Sequence, residues 1–154
     1  MSVDINLPDA AATAALGAAL AAGAVPGRVL HLRGDLGAGK TTLVRGLLRA
    51  LGYAGRVKSP TYTWVEPYSL SSLHFYHFDF YRFKDRSEWL SSGFREYFNP
   101  HALCVVEWPE KAGDLLGVPD VDICLQFSGE GRKASLEART AAGSSWLSSS
   151  RLPS

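Results

Sequence analysis

The run of residues best suited to chemistry is Gly34-Asp-Leu-Gly-Ala-Gly-Lys-Thr41, which fits the pattern G-x-x-x-x-G-K-[ST] of nucleotide-binding phosphate loops. In such a loop, glycines let successive backbone N–H groups face a phosphate, and the following helix N-terminus adds partial positive charge. Lys40 would reach the β- and γ-phosphates, and the Thr41 hydroxyl would ligate Mg²⁺. A loop that only joins strand to helix would explain Gly37 and Gly39 but not Lys40 beside Thr41. The sequence does not match the dinucleotide-binding pattern G-x-G-x-x-G, because no third glycine follows Gly37 and Gly39 at the required spacing.

Two acidic residues could complete a catalytic site around this loop. Glu107 follows the apolar run 102–106, and a carboxylate at the end of a buried strand can meet Mg²⁺ or its waters. The alternative is a solvated acid that simply follows a core strand. Asp79 lies within the aromatic run 74–83, where an acid is costly to bury unless it is paired or functional. We predict that Asp79 orients a water or binds a metal indirectly, with an ion pair to Arg82 as the alternative.

Hydrophobic periodicity predicts the elements that must position these residues. A strand should precede the loop and a helix should follow it, and the alternating segments around Gly129-Glu-Gly131 predict a C-terminal antiparallel hairpin. A further helix is expected at 87–98 with Ser87 as its cap, and a weak helix that frays is expected from Gly143. The other predicted elements are a helix over 9–22 capped by Asp9, strands within 29–32, 57–68 and 74–83, a buried strand over 102–106, and hairpin strands over 121–127 and 134–138.

Composition predicts one folded domain over residues 1–154, with residues 143–154 as a weakly ordered tail. Of the 154 residues, 46% are hydrophobic and 20% charged, a balance typical of folded proteins and not of disordered ones. A net charge of +1 excludes a bulk electrostatic attraction to nucleic acid or anionic lipid. The longest apolar stretch, 10–26, is mostly Ala and Gly and too weak to span a membrane. With no signal-like N-terminus and two cysteines at no zinc or redox spacing, we expect a cytoplasmic protein without membrane association.

The aromatic run 74–83 has a second possible reading, as a surface that stacks on RNA bases. It lacks the glycines and valine of the RNA-recognition consensus, and alternating aromatics more often pack a core or a partner face. The four histidines, at positions 31, 74, 77 and 101, have no metal-ligand spacing. We therefore predict packing or surface roles for them.

Four sequence blocks, taken in order, resemble the bacterial TsaE (YjeE) family, the ATPase subunit of tRNA threonylcarbamoyladenosine biosynthesis. The blocks are Gly34-Asp-Leu-Gly-Ala-Gly-Lys-Thr-Thr-Leu-Val-Arg-Gly46, Lys58-Ser-Pro-Thr61, His77-Phe-Asp-Phe-Tyr-Arg82 and Val105-Val-Glu-Trp-Pro-Glu110. The likeness covers about residues 9–140. The last three blocks are what distinguish this family from other phosphate-loop proteins.

The resemblance implies an α/β P-loop NTPase fold with a mostly parallel central sheet flanked by helices. It implies ATP and Mg²⁺ as ligands and TsaB and TsaD proteins as partners. The target would be the adenosine next to the anticodon in tRNAs that read codons beginning with A, which the subunit would serve indirectly through the complex. In this family the subunit is not the transferase, and its ATP hydrolysis is thought to support turnover by the partners.

The resemblance also assigns roles by position. Thr41 and Glu107 would handle Mg²⁺, Asp79 would act near the attacking water or the nucleotide, and Trp108 would lie beside Glu107. Thr61 resembles a sensor that closes over the γ-phosphate, although Pro60 shaping a turn is the alternative. The expected nucleotide-binding residues are Thr13, Gly37, Ala38, Gly39, Lys40, Thr41, Thr42, Thr61 and Trp108.

These expectations favour an ATPase in which Lys40, Asp79 and Glu107 act on the triphosphate and a partner completes the site. A small-molecule kinase with the same loop is an alternative, although such kinases commonly carry an arginine-rich lid that this sequence lacks. A nucleotide-gated binding module, in which ATP only orders loops for docking, is a third possibility.

Overall fold

A seven-stranded sheet organises the chain in a computed structural model, which describes residues 1–60, 64–71 and 73–153. The strands are β1 (Ser2–Leu7), β2 (Val29–Arg33), β3 (Val65–Ser69), β4 (His74–Asp79), β5 (Ala102–Glu107), β6 (Val121–Ser128) and β7 (Gly131–Ala138). The helices are α1 (Ala10–Leu20), α2 (Lys40–Ala50), α3 (Arg86–Ser92) and α4 (Ala141–Ser149), with short 3₁₀ turns at Ala21–Gly23, Phe94–Tyr97, Pro109–Lys111 and Gly113–Leu115.

The strands lie in the order β1-β7-β6-β2-β5-β4-β3. The central strands β6, β2, β5 and β4 run parallel, while β3 at one edge and the β7–β1 pair at the other are antiparallel. The α/β fold and the C-terminal hairpin are therefore confirmed. Strand β1 was not predicted, although Val3, Ile5 and Leu7 alternate with polar residues in it, as an edge strand with one buried face requires. All six residues of β5 are buried, as a continuous apolar run in a central parallel strand requires.

Helices α1 and α2 lie against each other more closely than side chains would normally allow. A Cβ built on Gly17 of α1 would lie 2.0 Å from the carbonyl oxygen of Leu43, and one built on Gly46 of α2 would lie 2.1 Å from that of Ala14. Both positions therefore need glycine for the backbones to approach. This contact fixes α2, the helix that follows the phosphate loop, against the Ala-rich α1.

The two faces of the sheet carry separate cores. Along β5, Leu103 and Val105 pack with the core under α1, α2 and α4, whereas Cys104 and Val106 pack with an aromatic cluster under α3. The members of that cluster that come from outside the sheet include Phe80, Phe83, Trp89, Phe94, Ala112 and Leu116. The aromatic residues of the 74–83 run are thus partly a core, as their alternation favours.

The helix predicted over 87–98 is shorter than expected, and its cap is different. Asp85, not Ser87, is the N-cap, and it forms a capping box with Glu88. Gly93, with φ +75°, ends the helix in the left-handed conformation. Helical spacing would place Leu90 on one apolar face with Trp89 and Phe94, but Leu90 is 76% exposed. The early end at Gly93 moves the following aromatic residues into a 3₁₀ turn, so that one continuous helical face does not form.

The tail over 143–154 was expected to be weakly ordered, but its first part, through Ser149, lies in a packed helix. Helix α4 begins at its N-cap Thr140, and its Trp146 is fully buried, with the indole Nε1 donating a hydrogen bond to the Leu20 carbonyl (2.8 Å). A Cβ on Gly143 would lie 1.8 Å from the Asp120 carbonyl oxygen. The Ser-rich composition hid this packing, since Trp146 and Leu147 are the two buried side chains of the helix.

Across the described parts of the chain, none of the helices has both the length and the apolar character needed to cross a membrane.

Candidate functional site

The phosphate loop joins the end of β2 to the start of α2. Gly37 and Gly39 have φ values of +80° and +103°, which a residue with a side chain adopts only with strain. Gly39 is the N-cap of α2, so the partial positive charge of that helix N-terminus lies at the loop. The predicted strand, glycine loop and helix are confirmed in this order.

Lys40 is the buried cation of the loop, with only 5% of its surface exposed. Its Nζ donates a hydrogen bond to the Gly34 carbonyl and lies 4.0 Å from the centroid of the Trp108 ring. Burial lowers the pKa of Lys40, and the negative charges of Glu107 and Asp79 oppose that shift. The lysine is therefore held inside the loop, close to both predicted carboxylates.

The carboxylates Asp79 and Glu107 lie at adjacent strand ends. Strands β4 and β5 are parallel, and their register places these two residues opposite each other. Both line a cleft of about 610 Å³ over the loop, here called the phosphate cleft. Its lining contains most of the predicted site, namely Gly37, Ala38, Gly39, Lys40, Thr41, Thr42, Asp79, Glu107 and Trp108, together with Leu36 and Ser59. Topology thus brings together residues that lie far apart in the sequence.

Glu107 is 3% exposed and is held by His77. The His77 Nε2 lies 2.5 Å from Glu107 Oε2, and because a carboxylate only accepts hydrogen bonds, Nε2 is the donor. Within the described residues, His77 Nδ1 has no hydrogen-bond partner. Our expectation of a packing or surface role missed this contact. The signal was available, because His77 precedes Asp79 by two residues and so shares its face of β4.

Asp79 is oriented by two donors. Its Oδ1 accepts a hydrogen bond from the Tyr81 backbone N–H and its Oδ2 from the Ser59 hydroxyl, each at 3.0 Å. Ser59, in the Ser-Pro-Thr block, is a cleft residue that sequence reasoning did not single out. Thr61 of the same block lies outside the described residues.

Trp108 closes one side of the phosphate cleft. Its backbone has a φ of +56°, an uncommon conformation for a non-glycine residue, and its ring lies over Lys40 and 5.0 Å from the ring of Tyr81. Trp108 directly follows Glu107, as the sequence requires. Such local backbone strain is often found at functional sites.

A second cleft of about 480 Å³, here called the adjoining cleft, meets the phosphate cleft at Gly37, Ala38, Gly39 and Thr42. Thr13 of α1 lines it and is buried, with a methyl group 3.4 Å from the position a Cβ would take on Gly39. Glu130 and Arg132, from the β6–β7 hairpin, line the other side. These hairpin residues were not predicted, because they are far from the phosphate loop in the sequence and no motif links them to it.

Together the clefts could hold an extended anionic ligand. Backbone N–H groups, the α2 N-terminus and Lys40 suit phosphates. The Thr41 hydroxyl and the two carboxylates are oxygen ligands of the kind that Mg²⁺ takes, usually alongside phosphate oxygens and waters. The donor set therefore fits Mg²⁺ bound together with a nucleotide. The individual roles of these residues stay predictions.

Comparison with known proteins, by sequence and by structure, gives one consistent family. A family model described as "Threonylcarbamoyl adenosine biosynthesis protein TsaE" matches residues 7–136. The Haemophilus influenzae tRNA threonylcarbamoyladenosine biosynthesis protein TsaE is 43% identical over 120 residues, covering 78% of this chain and 76% of that protein. The Bacillus subtilis protein of the same name is 42% identical over 118 residues, covering 77% and 73%. The crystal structure of Bacillus subtilis YdiB aligns with a TM-score of 0.83 and 30% identity over 96% of this chain and 93% of that one.

Proposed function

The chain belongs to the TsaE family, and from that premise we propose that it is an ATPase that supports threonylcarbamoyladenosine formation on tRNA. It would bind ATP with Mg²⁺ and hydrolyse it alongside TsaB and TsaD proteins in the cytoplasm. The tRNA adenosine next to the anticodon would be modified by the partner complex and not by this chain. The observation that carries the proposal is the convergence of Lys40, Thr41, Asp79 and Glu107 on one cleft over the phosphate loop.

The loop side of the cleft supports triphosphate binding. The phosphates would lie against backbone N–H groups of the loop and of the first turn of α2, and the Lys40 ammonium would leave the Gly34 carbonyl to meet their oxygens. Burial removes the Lys40 ammonium from water and lowers its pKa. The negative oxygens of a bound phosphate would offset this loss of hydration, because they stabilise the charged ammonium. Thr41 and Glu107 would hold Mg²⁺, which would neutralise part of the phosphate charge when bound.

The carboxylate side of the cleft supports hydrolysis. Asp79 has its two oxygens fixed by Ser59 and the Tyr81 N–H, so its remaining lone pairs are held in one orientation. A carboxylate oriented in this way can accept a proton from, or align, a water that attacks the γ-phosphorus in line. Glu107 is held by His77 and would keep its carboxylate turned toward the cleft. We infer slow turnover by the chain alone and faster turnover once the partners complete the site.

The test is ATP binding, measured by calorimetry with Mg²⁺ present. Replacing Lys40 by Ala should weaken ATP binding at least about tenfold, since a charge-assisted phosphate contact is lost. Arg45→Ala is the matched control, because Arg45 is an exposed cation on the same helix. A wild-type chain that takes up no ATP, or a Lys40→Ala chain that binds as tightly as the control, would overturn nucleotide binding.

Partner dependence is tested by phosphate release. Adding TsaB and TsaD proteins to the chain should raise the rate of phosphate release, and Lys40→Ala should abolish the increase. No rise on mixing would refute the partner-supported ATPase. A metabolite that instead gains a phosphoryl group would identify a kinase.

A further inference from the structure

The β6–β7 hairpin ends against the phosphate loop, and one side chain makes the connection. Arg132, near the start of β7, donates hydrogen bonds from Nη2 to the Gly37 carbonyl (2.9 Å) and from Nε to the Ala38 carbonyl (3.2 Å). It is separated from them by 95 and 94 residues along the chain. Two consecutive carbonyls of the loop are therefore bound by one planar guanidinium.

The guanidinium is itself held in place by the hairpin. Phe127 lies opposite Arg132 in the β6–β7 register, and the guanidinium carbon is 4.3 Å from the centroid of its ring. Arg132 Nη1 also donates to the Gly131 carbonyl (3.0 Å). Phe127 approaches the loop as well, since its Cζ is 4.0 Å from the position a Cβ would take on Gly37. Ring, guanidinium and loop thus form one contact.

Binding two carbonyls fixes the directions of two N–H groups. In a planar trans peptide the carbonyl and the N–H point in opposite directions, so holding the Gly37 carbonyl orients the Ala38 N–H, and holding the Ala38 carbonyl orients the Gly39 N–H. The Ala38 N–H donates to the Asp35 carbonyl (3.0 Å), which closes a turn within the loop, so the Gly39 N–H is the group that Arg132 would direct toward a phosphate. Without the Arg132 contact, Gly39 would leave the peptide unit between residues 38 and 39 freer to rotate.

We propose that Arg132 is a positioning residue for phosphate binding, which holds the peptide units of residues 37–39 with their N–H groups directed away from the hairpin. The proposal rests on the nucleotide-binding function proposed above. It assigns to the hairpin a role in nucleotide affinity and not in the chemical step. Ordering the loop before the ligand arrives lowers the entropy cost of binding.

The experiment compares Arg132→Ala and Arg132→Lys with the matched control Lys133→Ala. Lys133 is the next residue of β7, and its ammonium pairs with Asp4 at 3.7 Å on the surface. Backbone hydrogen exchange in residues 35–39 is measured without nucleotide, and ADP and ATP affinities are measured by titration. A thermal melt of each variant establishes that the hairpin is folded.

Both Arg132 variants should exchange faster at Ala38 and Gly39 than wild type and should bind ADP and ATP about tenfold more weakly, by the same factor for both. The Arg132→Lys variant should not recover the wild-type exchange rates or affinities, because a lysine ammonium lacks the rigid planar fork that binds two carbonyls. The control should match wild type in both measurements. Phe127→Leu should give a smaller effect in the same direction, since it removes only the ring face.

Three results would overturn the assignment. Unchanged exchange in Arg132→Ala would mean that the guanidinium does not order the loop. Full rescue by lysine would mean that charge alone matters. Unchanged ADP affinity with weakened ATP affinity would mean that Arg132 contacts the γ-phosphate and does not position the loop. If wild type bound no nucleotide but the exchange contrast remained, the proposed function would fall while the role of Arg132 in the loop would stand.

Discussion

Replacing His77 by Ala tests whether Glu107 depends on its buried partner. The His77 ring is fully buried and Glu107 is 3% exposed, so the substitution leaves a desolvated acidic side chain without its hydrogen-bond donor. A hydrogen bond to a charged group contributes about 1.5–3 kcal/mol, and the lost ring adds a cavity. We expect the free energy of unfolding to fall by about 3 kcal/mol, close to the range for breaking a buried pair. For a chain of this size that corresponds to a melting temperature roughly 10 °C lower.

The assay is urea unfolding of His77→Ala, with two comparison variants. His74→Ala removes an exposed histidine from the same strand and should change stability by less than about 0.5 kcal/mol. His77→Gln retains a donor and should recover part of the loss. In ATP titrations, His77→Ala should also need about tenfold more Mg²⁺ for half-maximal binding, because a residue that orients a metal ligand is lost. If His77→Ala unfolds like His74→Ala and keeps its Mg²⁺ dependence, the buried contact does not hold Glu107.

The remaining predictions concern one residue of the cleft and one outside it. Asp79→Asn preserves an acceptor for Ser59 or Tyr81 and should bind ATP within about threefold of wild type, while ATP turnover falls about a hundredfold; unchanged turnover in a phosphate-release assay would favour the nucleotide-gated module. Burial lowers the pKa of His31 from 6.5 to about 4, so below pH 6.5 the unfolded chain binds a proton at this imidazole more readily than the folded chain does. The free energy of unfolding should therefore fall by up to about 3 kcal/mol as the pH drops from 6.5 to about 4. Urea unfolding across that pH range measures the fall, and His31→Leu should remove this part of it; an unchanged pH dependence in the variant would contradict the assignment.

Local patterns were sufficient for the parts of the site that lie within a few residues of each other. The phosphate loop, the strand before it and the helix after it follow from one motif and its flanking apolar residues. Glu107 could be placed at a strand end because all of β5 is buried. Its proximity to Asp79 follows once β4 and β5 are known to be parallel neighbours, which the sequence alone does not state.

Contacts between distant segments could not be predicted in the same way. Arg132 and Gly37 are 95 residues apart, and an arginine in a half-exposed strand has no pattern that predicts a carbonyl partner. The packing of helix α4 was underestimated because its Ser-rich sequence has little periodicity, although Trp146 is fully buried and donates a hydrogen bond to the Leu20 carbonyl. The length of helix α3 was overestimated because the apolar spacing of the sequence continues past Gly93, where the left-handed backbone conformation ends the helix. In each case tertiary packing or a single backbone angle decided the outcome.

The close contact of α1 and α2 at Gly17 and Gly46 affects how the two clefts are held relative to each other. Helix α1 carries Thr13 into the adjoining cleft and α2 starts at the phosphate loop, so the direct backbone contact couples the two helices. The position of Thr13 relative to Lys40 and Thr41 is therefore set by the two glycines. A side chain added at Gly17 or Gly46 would push α1 away from α2 and shift Thr13 relative to the phosphate loop.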